Sequence, residues 1–145
     1  MGLTAWQRKA VEVRAMDVAA AFCAARFSAT TDVSKSESFD FRCHDSAGVE
    51  WHVEVKGTTG PGESILLTPN EVRHAVDFPN TILIIVSGIT LKPGPGGTWT
   101  ARGGQRRVIE PWELDQQRLS PLGFEYSVTR NNNSSDGARR MSAVP

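Results

Sequence analysis

At 145 residues the chain has the length of about one domain, enough to enclose a single core. Sixteen Lys and Arg balance sixteen Asp and Glu, so net charge singles out no partner, and 39% hydrophobic content fits a somewhat polar globular protein. No run approaches the roughly 20 apolar residues of a membrane span, and Lys9, Glu12, Arg14 and Asp17 interrupt any N-terminal apolar stretch, so no signal peptide, no membrane partner and a soluble cytoplasmic protein are expected.

The charge is uneven along the chain. Arg130 to Pro145 holds three Arg and one Asp, a net of +2, which leaves the first 129 residues at about −2 by subtraction. Cys23 and Cys43 lack metal-ligand spacing and read as free buried thiols.

Thr4 to Ala25 reads as a helix, rich in Ala and free of Gly and Pro. Val11, Ala15, Val18 and Phe22 make one apolar stripe; Met16, Ala19 and Cys23 make a second, which Glu12 continues toward the N-terminus. Glu12 is open to two readings, a rim acid favoured by the helix dipole or a functional acid. Arg26 to Ser38 is polar and irregular, with a short strand near Phe27.

From Ser38 to His44, Phe39, Phe41 and Cys43 alternate with Asp40, Arg42 and His44, the pattern of a half-buried strand. Asp45 to Gly48 is turn chemistry, and Glu50 to Gly57 alternates again, with Trp51, Val53 and Val55 opposite His52, Glu54 and Lys56. The two runs form a hairpin. A turn centred near Ala47 sets Asp40 opposite Glu54, with Lys56 one pleat on. Opposed like charges destabilise a sheet unless a cation lies between them. A register slip of one would turn Asp40 into the core at greater cost.

Thr58 to Glu63 is a loop and Ser64 to Leu67 a short apolar strand. Thr68-Pro69-Asn70-Glu71 starts a helix with a capping box, which accounts for Thr68 and Glu71 without any functional role. That helix runs to about Val76. Thr81 to Val86 is β-branched and apolar throughout, a central strand covered on both faces, which Ser87 to Pro93 extends. Gly94 to Gly104 reads as a flexible hairpin or loop. Arg102, Arg106 and Arg107 cluster beside it, either as a nucleic-acid contact or as a solvated surface. Val108 to Leu119 begins as a strand and becomes a short helix. Phe124 to Thr129 is a last strand, and residues 130–145 have the composition of a disordered polar tail. The whole is an α/β domain over residues 1–129.

Two carboxylates beside a Lys suit a divalent-metal phosphodiesterase. Hard oxygen ligands hold Mg²⁺, the metal lowers the pKa of a bound water and neutralises charge on phosphorus, and a nearby Lys orients the water and stabilises the anionic transition state. The carbonyl of Val55 could add a ligand. Acid-x-Lys alone is common in strands. Read together, Asp40, Glu54-x-Lys56 across a hairpin and a preceding helix with Glu12 resemble the PD-(D/E)XK nuclease superfamily. Val53 to Gly60 (V-E-V-K-G-T-T-G), followed by Ile65 to Glu71 (I-L-L-T-P-N-E), resembles the NO VEIN C-terminal family. The likeness covers roughly Ala10 to Val86 and is most specific in its middle. Glu37-Ser38-Phe39 departs from the Gly- and aromatic-containing lead common before the family's Asp.

The resemblance implies a restriction-endonuclease-like mixed β-sheet flanked by helices. It implies Asp40 and Glu54 as metal ligands, Lys56 as catalytic lysine and Glu12 as accessory acid. The cofactor would be Mg²⁺, with Mn²⁺ as substitute, and the substrate nucleic acid, DNA before RNA, in defence or DNA processing. The ordered body is slightly acidic, so a homodimer or a larger helicase or defence partner is expected to help hold DNA. Two other readings stand beside it. One is a non-catalytic module of the same fold that binds nucleic acid or protein; the other is a structural domain whose Glu-x-Lys is ordinary strand polarity.

Overall fold

The computed structural model describes residues 2–124 and 126–129. The expected tail, residues 130–145, lies outside the described residues. The chain divides into two units, Met1–Leu114 and Asp115–Pro145. The first holds every helix and strand that follows. The second, among its described residues, holds the single 3-10 turn Gln116–Arg118, whose Asp115 side chain caps the Gln117 amide.

Helix α1 spans Ala5–Arg26 and is opened by a capping box between Thr4 and Gln7. Five strands follow: β1 Ala29–Asp32, β2 Phe41–His44, β3 Glu50–Gly57, β4 Thr81–Pro93 and β5 Trp99–Ile109, with helix α2, Pro69–Asp77, between β3 and β4. They form one sheet in sequence order, β1-β2-β3-β4-β5. Only β3 and β4 run parallel. Parallel neighbours need a crossover, and α2 supplies it. The fold is α/β, a mixed sheet with two helices. Among the described residues no helix is long and apolar enough to cross a membrane.

α1 covers one face through a single seam, Val11, Ala15, Ala19 and Cys23, all buried. The two stripes of the sequence thus merge, because a spacing of four follows the helix closely along one line. The seam is small-sided, which lets the helix approach the sheet. A Cβ on Gly57 would lie 2.6 Å from Ala15 Cβ and 3.2 Å from the Val11 carbonyl. Against this seam lie Phe41, Val53, Val55, Ile82, Ile84 and Val86. Each such fully buried aliphatic side chain contributes about 1.5–3 kcal/mol. β4 is buried on both faces from Thr81 to Val86, as its composition indicates. Cys23 and Cys43 are free and buried; a mutual hydrogen bond, with burial, pushes the Cys23 thiol up.

Several local expectations fail. Residues 64–67 are not a strand, and Phe124 and residues 126–129 carry none either. Phe124 is 95% exposed, so nothing there supplies a sheet to join. Of the two readings of Gly94 to Gly104, hairpin and loop, the hairpin holds, with Trp99 to Gly104 as strand. Its glycines belong to a long β4–β5 ladder, in which Gly103 and Gly104 take positive φ and Gly104 meets Val86 too closely for any Cβ. Phe39 does not share a face with Phe41. It stacks on His52, toward α2, because the chain leaves the ladder just before β2.

Candidate active site

β2 accompanies β3 only along Glu50 to Val53, whereas β4 accompanies it from His52 to Gly57. From Glu54 onward β3 therefore has a strand on one side only. Asp40 stands in the gap. The hairpin register, Phe41↔Val53 through His44↔Glu50, is the one expected from a turn centred at position 47. Asp40 lies one residue beyond that ladder, and its own amide still donates to the Val53 carbonyl at 2.9 Å. Its Oδ2 accepts the Val55 amide at 2.7 Å. Since the amide and carbonyl of one strand residue point to the same edge, the Val55 carbonyl also faces the gap.

The other face of β3 meets α2. Glu54 is buried at 7% exposure, which a water-facing strand would not give. Lys56 Nζ lies 3.5 Å from Glu54 Oε1 and 3.0 Å from both carboxylate oxygens of Glu71. Glu71 also closes the capping box of α2, accepting the Thr68 amide at 2.9 Å through Oε1. The capping role inferred from sequence is real but incomplete. One carboxylate fixes the start of α2 and holds Lys56.

Glu54 and Glu71 thus share one lysine, whose charge also acts on Asp40. Burial, the Asp40 charge and a hydrogen bond with Glu71 push the Glu54 carboxyl up to about 9. Burial likewise raises Asp40, against the pull of the Val55 amide and Lys56. Burial works to raise Glu71, but the Thr68 amide, Glu54 and Lys56 outweigh it and hold it below the usual range. Of the three acids, Glu54 is the one pushed furthest toward its protonated form.

Asp40, Glu54, Lys56 and Glu71 line a cleft of about 480 Å³ whose far wall includes Val11 and Glu12 of α1. Glu12 sits at its rim, 67% exposed and 3.7 Å from Lys9. A second cavity of about 420 Å³ reaches Asp40, Glu54 and Glu71 from the Ser34–Ser38 loop and Asn70. All three β5 arginines are exposed. Arg106 lies over the Phe22 ring of α1 at 4.9 Å, Arg107 donates to the Gly62 carbonyl at 3.0 Å, and Arg102 is exposed.

Beside the acids runs an aromatic stack that spacing did not reveal. The His52 ring lies between Phe39 and Phe78, each at 3.8 Å and within 7° of parallel. His52 Nε2 is 2.7 Å from Glu50 Oε2, and Nδ1 is 2.7 Å from His74 Nε2. A carboxylate only accepts, so His52 donates through Nε2 and, when neutral, accepts from His74. Burial lowers both imidazoles. The signal available in sequence was the shared parity of His52 and Glu54 and the three-residue spacing of Glu71 and His74. The stack and the acid–lysine cluster are adjacent rungs joining β3 to α2.

The donor chemistry fits a hard dication. Asp40, Glu54 and the Val55 carbonyl offer oxygens only, and a second positive charge would relieve the pressure that keeps Glu54 protonated. Among the described residues no three His, Cys, Asp or Glu side chains are grouped as a ready metal shell.

A family model described as "Protein NO VEIN, C-terminal" matches residues 11–95, more than half of the chain. No curated protein and no solved structure matches.

Proposed function

The chain belongs to the NO VEIN C-terminal family, and from that premise we propose that it is a nuclease-like domain of the PD-(D/E)XK type, hydrolysing phosphodiester bonds of nucleic acid. The observation that carries this reading is the meeting of Asp40, Glu54 and Lys56 at the half-open end of β3, with Glu54 pushed up to about 9. An acid so burdened is matched to a cation. Asp40, Glu54 and the Val55 carbonyl would hold Mg²⁺ or Mn²⁺, which when bound acidifies a coordinated water and offsets charge on the phosphoryl oxygens.

The chain's own residues do the rest. The Val55 amide fixes the Asp40 carboxylate. Glu71 aims Lys56 into the cleft. Lys56 then hydrogen-bonds the attacking water and stabilises the pentacoordinate phosphorus with its positive charge. Water oxygen bonds to phosphorus, the ester P–O bond breaks, and a phosphate monoester and a free hydroxyl result. Glu12 at the rim orients water or substrate. DNA is the substrate we favour, in defence or DNA processing, with a second copy or a larger partner compensating for the slightly acidic body.

Incubation with single- and double-stranded DNA and RNA in Mg²⁺, Mn²⁺ or EDTA tests the reading, beside Lys56→Ala and Asp40→Ala. Metal-dependent cleavage lost in both variants is expected. Cleavage unchanged in both would mean a contaminating enzyme. A second reading is a non-catalytic binding module of the same fold, favoured by the lack of a grouped three-ligand shell among the described residues. Binding without cleavage under every condition would select it.

A further inference from the structure

α1 buries one seam and leaves an apolar stripe on the opposite side. Trp6, Ala10 and Val13 recur at helical spacing, with Trp6 72% and Val13 47% exposed. Exposed Trp is unusual where nothing requires it. The stripe is one wall of a groove of about 370 Å³, whose other wall is the tip of the β4–β5 hairpin, including Trp99 and Ala101. Two cations, Lys9 and Arg14, line the same groove, against one acid, Asp17. Arg14 is fixed there by donating Nε–H to the Gly103 carbonyl at 2.9 Å.

From this groove we infer a binding site for single-stranded nucleic acid, in which Trp6 and Trp99 offer faces to unpaired bases and Lys9 and Arg14 meet the phosphates. Aromatic faces interleaved with cations are the chemistry that holds single strands without reading sequence. Charge complementarity separates this occupant from a purely apolar peptide. Continuity supports it as well. Lys9 lines the groove and also pairs with Glu12 at the rim of the acidic cleft. One strand could cross α1 from groove to cleft, over a helix about 10–12 Å wide. The inference deepens the nuclease reading by naming single-stranded substrate. It rests on that reading only for what happens after binding.

The test separates the two. A fluorescein-labelled oligothymidylate and a duplex of equal length are titrated with the full chain in EDTA, followed by anisotropy and Trp quenching. The expected result is tighter binding of the single strand, with Trp fluorescence quenched. Trp6→Ala and Trp6→Leu should each weaken it about tenfold, within the range of one base–aromatic stack, while Trp6→Phe stays near wild type. Lys9→Glu should weaken it and flatten its salt dependence. Equal affinity of Trp6→Ala and wild type, or preference for duplex, would overturn the inference. So would self-association that Trp6→Ala abolishes while oligonucleotide binding is unaltered, since a second copy would then own the groove. Cleavage in Mg²⁺ is measured separately. Its absence would sink the nuclease reading and leave the binding result standing.

Discussion

Asp40 Oδ2 accepts the Val55 amide at 2.7 Å, so a side chain continues a ladder that the backbone of β2 has left. That substitution ends strand pairing at the point where the acids gather. It keeps the edge of β3 open, yet leaves the Val55 amide satisfied.

Asp40→Ala should therefore cost stability as well as any activity. Removing the acceptor strands a part-buried amide, at about 1–3 kcal/mol. Asp40→Asn keeps an acceptor and should recover most of that stability in urea denaturation, while metal-dependent cleavage stays lost. Equal stability of Asp40→Ala and wild type would show that the hydrogen bond contributes nothing.

Glu54 makes stability fall as pH rises. Below its ordinary value near 4.5 both folded and unfolded chains hold the proton. Between 4.5 and about 9 the unfolded chain releases it and the folded chain does not, so unfolding gains with pH; above about 9 the effect levels off. Glu54→Gln lacks this slope and should be more stable than wild type at pH 8, with the difference shrinking toward pH 4.5. Thermal melts across that range measure it. Mg²⁺ should raise the wild-type melting temperature more at pH 8 than at pH 6, since binding displaces the proton, and should not raise that of Glu54→Gln.

Glu71 separates capping from positioning. Glu71→Gln preserves the capping box, which accepts Gln at this position, but removes the ion pair with Lys56. Lys56 keeps Glu54 as its partner, so stability should fall by less than the roughly 3–5 kcal/mol of a fully broken buried pair. Cleavage should drop, with the loss in kcat rather than KM. Glu71→Ala should lose the cap as well, a further 1 kcal/mol or about that. Identical cleavage by Glu71→Gln and wild type would remove Glu71 from the site.

Gly57→Ala should be disruptive for a packing reason alone. Its Cβ would fall 2.6 Å from Ala15 Cβ, so α1 must move off the end of β3. A loss of about 1–3 kcal/mol is expected, with partial recovery on adding Ala15→Gly. A Gly57→Ala variant as stable as wild type would mean the helix shifts freely.

The sequence by itself determined the elements whose signals are local. Thr68 and Glu71 close their capping box, Thr81 to Val86 is the strand buried on both faces, and the turn at Asp45–Gly48 sets the register Phe41↔Val53 that carries Asp40 to the Val53–Val55 edge. Tertiary structure decided what local pattern cannot carry. Alternation put Phe39 with Phe41, but the end of β2 turned Phe39 onto His52. Gly94 to Gly104 read as a hairpin or a loop, and pairing with β4 decided for the hairpin, with Gly104 at positive φ where Val86 leaves no room for a side chain. Alternation along β5 separates Arg106 from Arg107, while Arg102 and Arg106 keep the same parity. Above all, β3, which alternates apolar with polar residues, is buried on both faces from His52 to Val55, because α2 returns over it. Burial beside Asp40 and Glu71, not the spacing of Glu54 and Lys56, makes Glu54 hold a proton.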